Sequence, residues 1–304
     1  MAQLPAAALP GGVLDPPRHE HGVEALAALG GWGAWDVVVG AGLLVSGLVY
    51  LIGLSRLWRR AGVGSGIRWF EAFAFAAAWC TLAVALVSPL DTLSDRLFSA
   101  HMTQHELLML VAAPLLVLGR PLVVLPWALP ARARLGLRRW QAAPLRHAWR
   151  HLTAPLTVLL LHGLVVWIWH VPALFEAALR SDAVHAVQHL GFFWTAALFW
   201  WALAHGRYGR LGYGIAVIFV FVTAMQQSVL GALLTFAPTA WYPTYQARAA
   251  THGVDAIGDQ QLAGLLMWVP SGLVFMVIGL ALFAAWLGEA ERRAALTGQA
   301  ADLP

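Results

Sequence analysis

Long runs of apolar residues constrain this chain more than any other feature. About twenty consecutive apolar residues are needed to cross the hydrocarbon core of a bilayer. The sequence holds seven such stretches, and Pro114 and Pro270 fall inside two of them, which predicts kinks there. The predicted spans are residues 36–54, 70–88, 98–118, 155–171, 189–204, 212–236 and 260–287.

Composition supports a membrane protein built from helices. Apolar residues make up 60% of the 304 residues and charged residues only 11%, whereas soluble domains carry about 25% charged residues. A segment exposed to lipid must satisfy its own backbone hydrogen bonds, which a helix does. We therefore predict an all-α, polytopic integral membrane protein with seven transmembrane helices.

The basic residues predict how these helices cross the membrane. Basic residues of membrane proteins concentrate in loops on the cytoplasmic side. We therefore interpret the net charge of +4 as an indicator of membrane orientation and not as a sign of nucleic-acid binding. The alternate connections and the C-terminal end carry the arginine-rich groups Arg56, Arg59, Arg60, Arg68, Arg132, Arg134, Arg138, Arg139, Arg146, Arg150, Arg207, Arg210, Arg292 and Arg293. We predict a periplasmic N-terminal tail (1–33), a seven-helix domain (34–288) and a cytoplasmic C-terminal tail (289–304).

With that orientation, polar residues from several spans collect at the outer surface. The third and fifth spans both begin with H-x-x-Q-H, and the fourth ends in a histidine. Residues four apart lie on one helix face, and neutral imidazoles bind copper, zinc and iron. We predict one shared metal site there. Its candidate ligands are His101, His105, His170, His185, His189 and Asp259.

Further residues predict supporting roles around this site. The glutamines beside the histidines are placed to orient imidazole rings, thioethers favour copper, and Asp259 has the alternative role of a helix N-cap. His162 lies about 12 Å below His170 along the fourth span, as a relay or a second site. The residues predicted to orient or relay are Gln104, Gln188, Gln260, Met102, Met225 and His162.

The motifs resemble a known family. "AHMTQHELLMLVAAPLLVLGRP", "WHVPALFEAAL", "HAVQHLGFFWTAALFWW", "ALLTFAPTAWYPTY" and "DQQLAGLLMWVPSG" together resemble the CtaG-type cytochrome c oxidase assembly factors over residues 34–287. The resemblance implies a multi-pass protein of the bacterial inner membrane that serves oxidase assembly. Its implied partners are oxidase subunit I, other assembly proteins, the lipid bilayer and a possible second copy of the chain.

The resemblance also implies a cargo, copper, for the oxidase catalytic subunit. Cys80 is the single cysteine, so a transfer mechanism based on paired cysteines is not available, and any copper must be held by histidine, methionine, aspartate or glutamine. We expect a protein that is not an enzyme. Three alternatives stay open: an intramembrane zinc hydrolase, a haem-binding protein with histidine axial ligands, and a passive scaffold or transporter.

Overall fold

A computed structural model describes residues 34–139, 143–205 and 208–301, and helices are the only regular secondary structure in this part of the chain. The predicted tail 1–33 lies outside it. The helices are α1 (Ala34–Ala61), α2 (Trp69–Val87), α3 (Pro89–Ser94), α4 (Phe98–Glu106), α5 (Ala113–Leu118), α6 (Pro121–Ala128), α7 (Ala131–Arg139), α8 (Ala143–Leu152), α9 (Pro155–His170), α10 (Pro172–Arg180), α11 (Asp182–His205), α12 (Tyr208–Thr235), α13 (Pro243–His252) and α14 (Ala256–Ala301). A π-helix, Leu107–Ala112, joins α4 to α5.

Five helical segments of the described chain are long and apolar enough to cross a membrane. They are Trp35–Ala61, Trp69–Val87, Phe98–Leu118, Tyr213–Thr235 and Ala256–Arg293, and the pair Leu145–Leu152 and Pro155–His170, bent by 63°, makes a possible sixth. Helix α11 is long enough, but its histidines, glutamine and tryptophans lower its hydropathy. The all-helical membrane class is confirmed, while seven spans and the orientation stay predictions. The last helix continues through the predicted boundary at residue 288.

Helix α9 illustrates how one helix serves lipid and core at once. Leu156, Leu160 and Leu164 follow the i, i+4 rule on one face and are 67%, 63% and 57% exposed. The opposite face, which includes His162 and His170, is buried against the other helices. Such a fully apolar exposed stripe would be a liability in water, whereas lipid tails solvate it. The two histidines of α9 therefore point into the bundle.

The bundle is closed by a tight crossing of α12 and α14, which pack along one another. A Cβ placed on Gly264 would lie 2.7 Å from the carbonyl oxygen of Gly231. Small residues at such crossings let two backbones approach closely, which is how helices associate in lipid. Helix α14 also packs against α4, so the same helix reaches the segment that begins with the first H-x-x-Q-H motif.

The third predicted span is not a uniform α-helix. The N–H of Ala113 donates to the carbonyl of Leu108, the i to i−5 pattern of a π-helix. Pro114 follows, and it has no N–H to donate to the preceding turn. The indole N–H of Trp200 on α11 donates to the Met109 carbonyl oxygen at 2.8 Å. A side chain of α11 therefore stabilises the wide turn of the π-helix.

Candidate metal centre

Three helices bring the five predicted histidines together. His101 and His105 lie on α4, His170 ends α9, and His185 and His189 lie on the first turns of α11. Ring centroids are 4.4 Å apart for His101 and His105, 5.1 Å for His101 and His185, and 5.2 Å for His105 and His189. His170 completes the group at 6.4 Å from His105. We call these five residues the histidine cluster.

The nitrogen atoms of the cluster lie close to metal-binding geometry. One ring nitrogen from each of His101, His105 and His189 lies within 4.8 Å of the other two. Bonds of about 2.0 Å to one ion would place such nitrogens about 3.3–3.5 Å apart, so rings must approach by about an ångström. The Nε2 atoms of all five histidines are buried without a hydrogen-bond partner. A buried unpaired polar atom costs about 1–3 kcal/mol, so a shared ligand would relieve several at once.

His170 is oriented for the same role by its own backbone. Its Nδ1 donates to the Val166 carbonyl oxygen at 2.7 Å, which assigns the ring proton to Nδ1. The Nε2 lone pair is then free to bind an ion. A backbone carbonyl that fixes the tautomer of a histidine is a frequent partner of metal-binding imidazoles.

Asp259 supports the cluster as a helix cap. Its Oδ2 accepts from the N–H of Phe98 at 2.7 Å, and its Oδ1 accepts from the N–H of Ser99 at 3.2 Å. These are the first N–H groups of α4, which carries two of the histidines. Asp259 therefore takes the capping role and does not join the grouped histidine nitrogens. Its charge offsets the positive end of the helix dipole, which would otherwise disfavour a cation.

Aromatic rings form the walls of the cluster. The Phe175 ring lies 5.1 Å from the His101 ring, and the Phe192 ring lies 4.5 Å from the His105 ring. Sequence reasoning missed both residues. Phe192 follows His189 by three positions on α11, so it shares that helix face and could have been found. Phe175 lies on the separate short helix α10, and no spacing connects it to the histidines.

The segment that ends at Tyr242 and helix α13 pack over one end of the cluster. The Tyr242 hydroxyl donates to the His170 carbonyl oxygen at 2.9 Å. Glu176 on α10 accepts from the backbone N–H and the hydroxyl of Thr244, at 3.0 and 2.5 Å. Burial, with the nearby Glu176 charge, raises the pKa of the Tyr242 hydroxyl, so it stays a donor. We call Tyr242 and α13 the roof.

The three predicted glutamines have different positions. Gln188 is buried next to His189 on α11, and neither atom of its side-chain amide has a hydrogen-bond partner, so its role in orienting an imidazole ring stays a prediction. Gln104 instead donates to a backbone carbonyl of α2 at 2.7 Å and to Asp91 Oδ1 at 2.8 Å. Gln260 bonds to the backbone of the segment before the roof helix. One glutamine therefore lies at the cluster, and the other two join helices and loops.

The remaining predicted residues lie away from the histidine nitrogens. Met102 is buried in the apolar core, and Met225 is 48% exposed on the outer face of α12. His162 is buried deeper in the bundle, where its Nδ1 lies 3.0 Å from the Thr195 hydroxyl and its Nε2 lies 3.3 Å from Gln227 Nε2. The hydrogen-bond partners of His162, Thr195 and Gln227, are therefore not members of the histidine cluster.

A helical membrane bundle with a buried histidine cluster belongs to the class of polytopic membrane proteins with a candidate metal site. The family model of the cytochrome c oxidase caa3 assembly factors matches residues 48–289. The chain belongs to this family, which confirms the resemblance seen in its motifs.

Related sequences come from mycobacteria. An uncharacterized protein of Mycobacterium leprae is 27% identical over 283 residues, covering 88% of this chain and 41% of its own length. An uncharacterized protein of Mycobacterium tuberculosis is 27% identical over 282 residues with the same coverage. This chain therefore spans less than half the length of these relatives. No solved structure matches it.

Proposed function

We propose that this protein binds copper at the histidine cluster and delivers it to the catalytic subunit of cytochrome c oxidase, subunit I. The observation that carries the proposal is the convergence of five histidines whose Nε2 atoms lack partners. Neutral imidazoles suit copper. The cluster has no thiolate ligand that would trap the ion, which suits a protein that must release its cargo. Family membership supplies the link to oxidase assembly.

The proposal includes a topology. We propose seven spans, with α11 as the fifth, in a bacterial inner membrane, an N-terminus outside and a C-terminus inside. The arginine-rich helices α7 and α8 would then lie at the cytoplasmic surface. The first turns of α4 and α11 would open toward the periplasm, so copper and oxidase would meet the cluster from that side. A second copy of the chain would be compatible with this arrangement.

Zinc hydrolysis is less well supported than copper delivery. A hydrolase of this kind needs an acid to activate a metal-bound water. Asp259 uses both oxygens on the backbone of α4, and Glu176 holds Thr244 of the roof. Among the described residues, the metal-compatible group contains histidines and no carboxylate. We therefore propose a cargo site and not a catalytic one.

Haem binding also fits less well. Axial ligation would require the broad, flat macrocycle to lie between two histidine rings. Neighbouring rings of the cluster are 4.2–5.2 Å apart between centroids, and Phe175 and Phe192 pack against them. A porphyrin would have to displace these walls, whereas a single ion needs only small ring movements.

Metal analysis of the purified protein tests the proposal. We expect the detergent-solubilised chain to retain copper after loading and desalting, and a triple variant His101→Ala, His105→Ala, His189→Ala to lose it. His252→Ala is the matched control, because His252 is an exposed histidine of α13. In cells, the triple variant should lower cytochrome c oxidase activity, while the control should leave it unchanged. Copper binding that is equal in the triple variant and in the control would refute the proposal.

A further inference from the structure

A second polar cavity lies deeper in the bundle, between the π-helix and helices α9, α11, α12 and α14. Glu106, Met109, His162 and Gln227 line it together with apolar residues. It has room for about one water-sized species. Polar side chains at this depth are costly in a membrane and mark ion or substrate pathways. We call this space the inner cavity.

The hydrogen bonds around His162 determine which of its nitrogens is available. The Thr195 hydroxyl donates to the Gly191 carbonyl oxygen at 2.8 Å, so its oxygen accepts from His162 Nδ1 at 3.0 Å. The unprotonated Nε2 then accepts from Gln227 Nε2 at 3.3 Å. This distance lies beyond the usual range for an N–H donor. The bond is therefore one that an ion on Nε2 would readily replace.

Two more side chains that line the same cavity carry atoms able to bind a metal ion. Glu106 Oε2 is buried and has no hydrogen-bond partner. Met109, 5% exposed, brings a thioether. It belongs to the π-helix, a distortion that is frequent at functional sites. The lining thus combines an imidazole, a carboxylate and a thioether.

We propose that the inner cavity is a second metal site, which takes a single copper(I) ion. The thioether selects a soft ion, and imidazole suits the same ion. Glu106 is the one acid among the lining residues. A monovalent ion that displaces its proton and binds the carboxylate would leave the site neutral, while a divalent ion would leave a buried net charge. This second site goes beyond the proposed function. It does not depend on copper delivery to the oxidase and requires only that copper(I) enters the protein.

The position of the inner cavity suggests an inward route from the histidine cluster. Glu106 directly follows His105 in the sequence. His162 lies on the same face of α9 as His170, about 12 Å further from the outer end. An ion held first by the cluster would therefore have a next station about two helical turns deeper.

X-ray absorption of the copper(I)-loaded protein tests this inference, because the histidine cluster offers only nitrogen ligands. We expect two copper ions per chain and a sulfur scatterer in the wild type. Met109→Leu should lose the sulfur signal and one copper. Met276→Leu is the matched control, since Met276 is 56% exposed on the outer face, and it should keep both.

Further variants separate the two sites. Glu106→Gln should also lose one copper, and equal thermal stability of the variants would exclude misfolding as the cause. The triple histidine variant should lose the ion of the histidine cluster and retain one ion with its sulfur scatterer in the inner cavity. The experiment therefore tells a failure of the cluster proposal from a failure of the inner-cavity proposal. Wild-type protein without copper–sulfur scattering, or Met109→Leu protein that keeps it, would overturn the inner site.

Discussion

Asp259→Asn provides a sharp test of how the bundle supports its histidine cluster. The carboxylate accepts two backbone hydrogen bonds at the first turn of α4. Bonds to a charged group contribute about 1.5–3 kcal/mol each. Asparagine keeps one acceptor oxygen and turns an NH2 group toward the other N–H. We therefore expect a loss of about 2 kcal/mol in the stability of the protein.

The same substitution should weaken copper binding from a distance. His101 follows the capped residues by two to three positions, a rise of about 3–4.5 Å, and the hydrogen bond and the imidazole ring extend this to about 8 Å between the carboxylate and the bound ion. At an effective dielectric constant of about 20, one charge at that distance contributes about 2 kcal/mol. The expected loss in affinity is about 30-fold, with one ion still bound at the cluster at saturation.

Competition with a chromophoric copper chelator would measure this loss. Asp255→Asn is the matched control, because Asp255 is exposed and accepts from the N–H groups of Ile257 and Gly258 at the start of its own helix. It removes the same charge near the same end of α14, and we expect less than about a threefold effect from so exposed a group. Equal losses in both variants would refute the capping argument, and complete loss of cluster binding in Asp259→Asn would make Asp259 a direct ligand.

Two further predictions concern helix packing and pH. Gly264→Ala should lower the stability of the protein by about 1–3 kcal/mol, because its Cβ would lie 2.7 Å from the Gly231 backbone oxygen. Gly272→Ala is the control and should not lower it, since nothing lies within 4 Å of a Cβ at that position. Thermal unfolding in detergent compares the two variants, and equal melting temperatures would contradict the tight crossing. Burial raises the pKa of Asp91 from 3.8 to about 6 despite the bond from Gln104, so the folded protein binds this proton more tightly and loses stability as pH rises from about 4 to beyond 6. Asp91→Asn should flatten that part of the stability–pH curve, and an unchanged slope would contradict the shift.

Local patterns in the sequence predicted the histidine cluster, because residues at i and i+4 share a helix face whatever the helix packs against. The roles of the polar neighbours were harder to predict, since they depend on which helices meet. Gln104 lies beside the histidine face and bonds toward α2 and Asp91. Asp259 caps a helix that begins far away in the sequence. The number of spans stays a prediction because α11 carries the polar residues of the cluster.

The π-helix after Glu106 has a consequence for how this helix can change. A residue in an α-helix turns by about 100°, and the wider turn shifts the angular register of everything that follows it. The π-helix therefore fixes a rotational offset between the histidine-bearing turn and the apolar half of the helix. Removal of one residue between Leu107 and Ala112 would restore α-helical hydrogen bonding and rotate the apolar half by about 100° relative to His101 and His105.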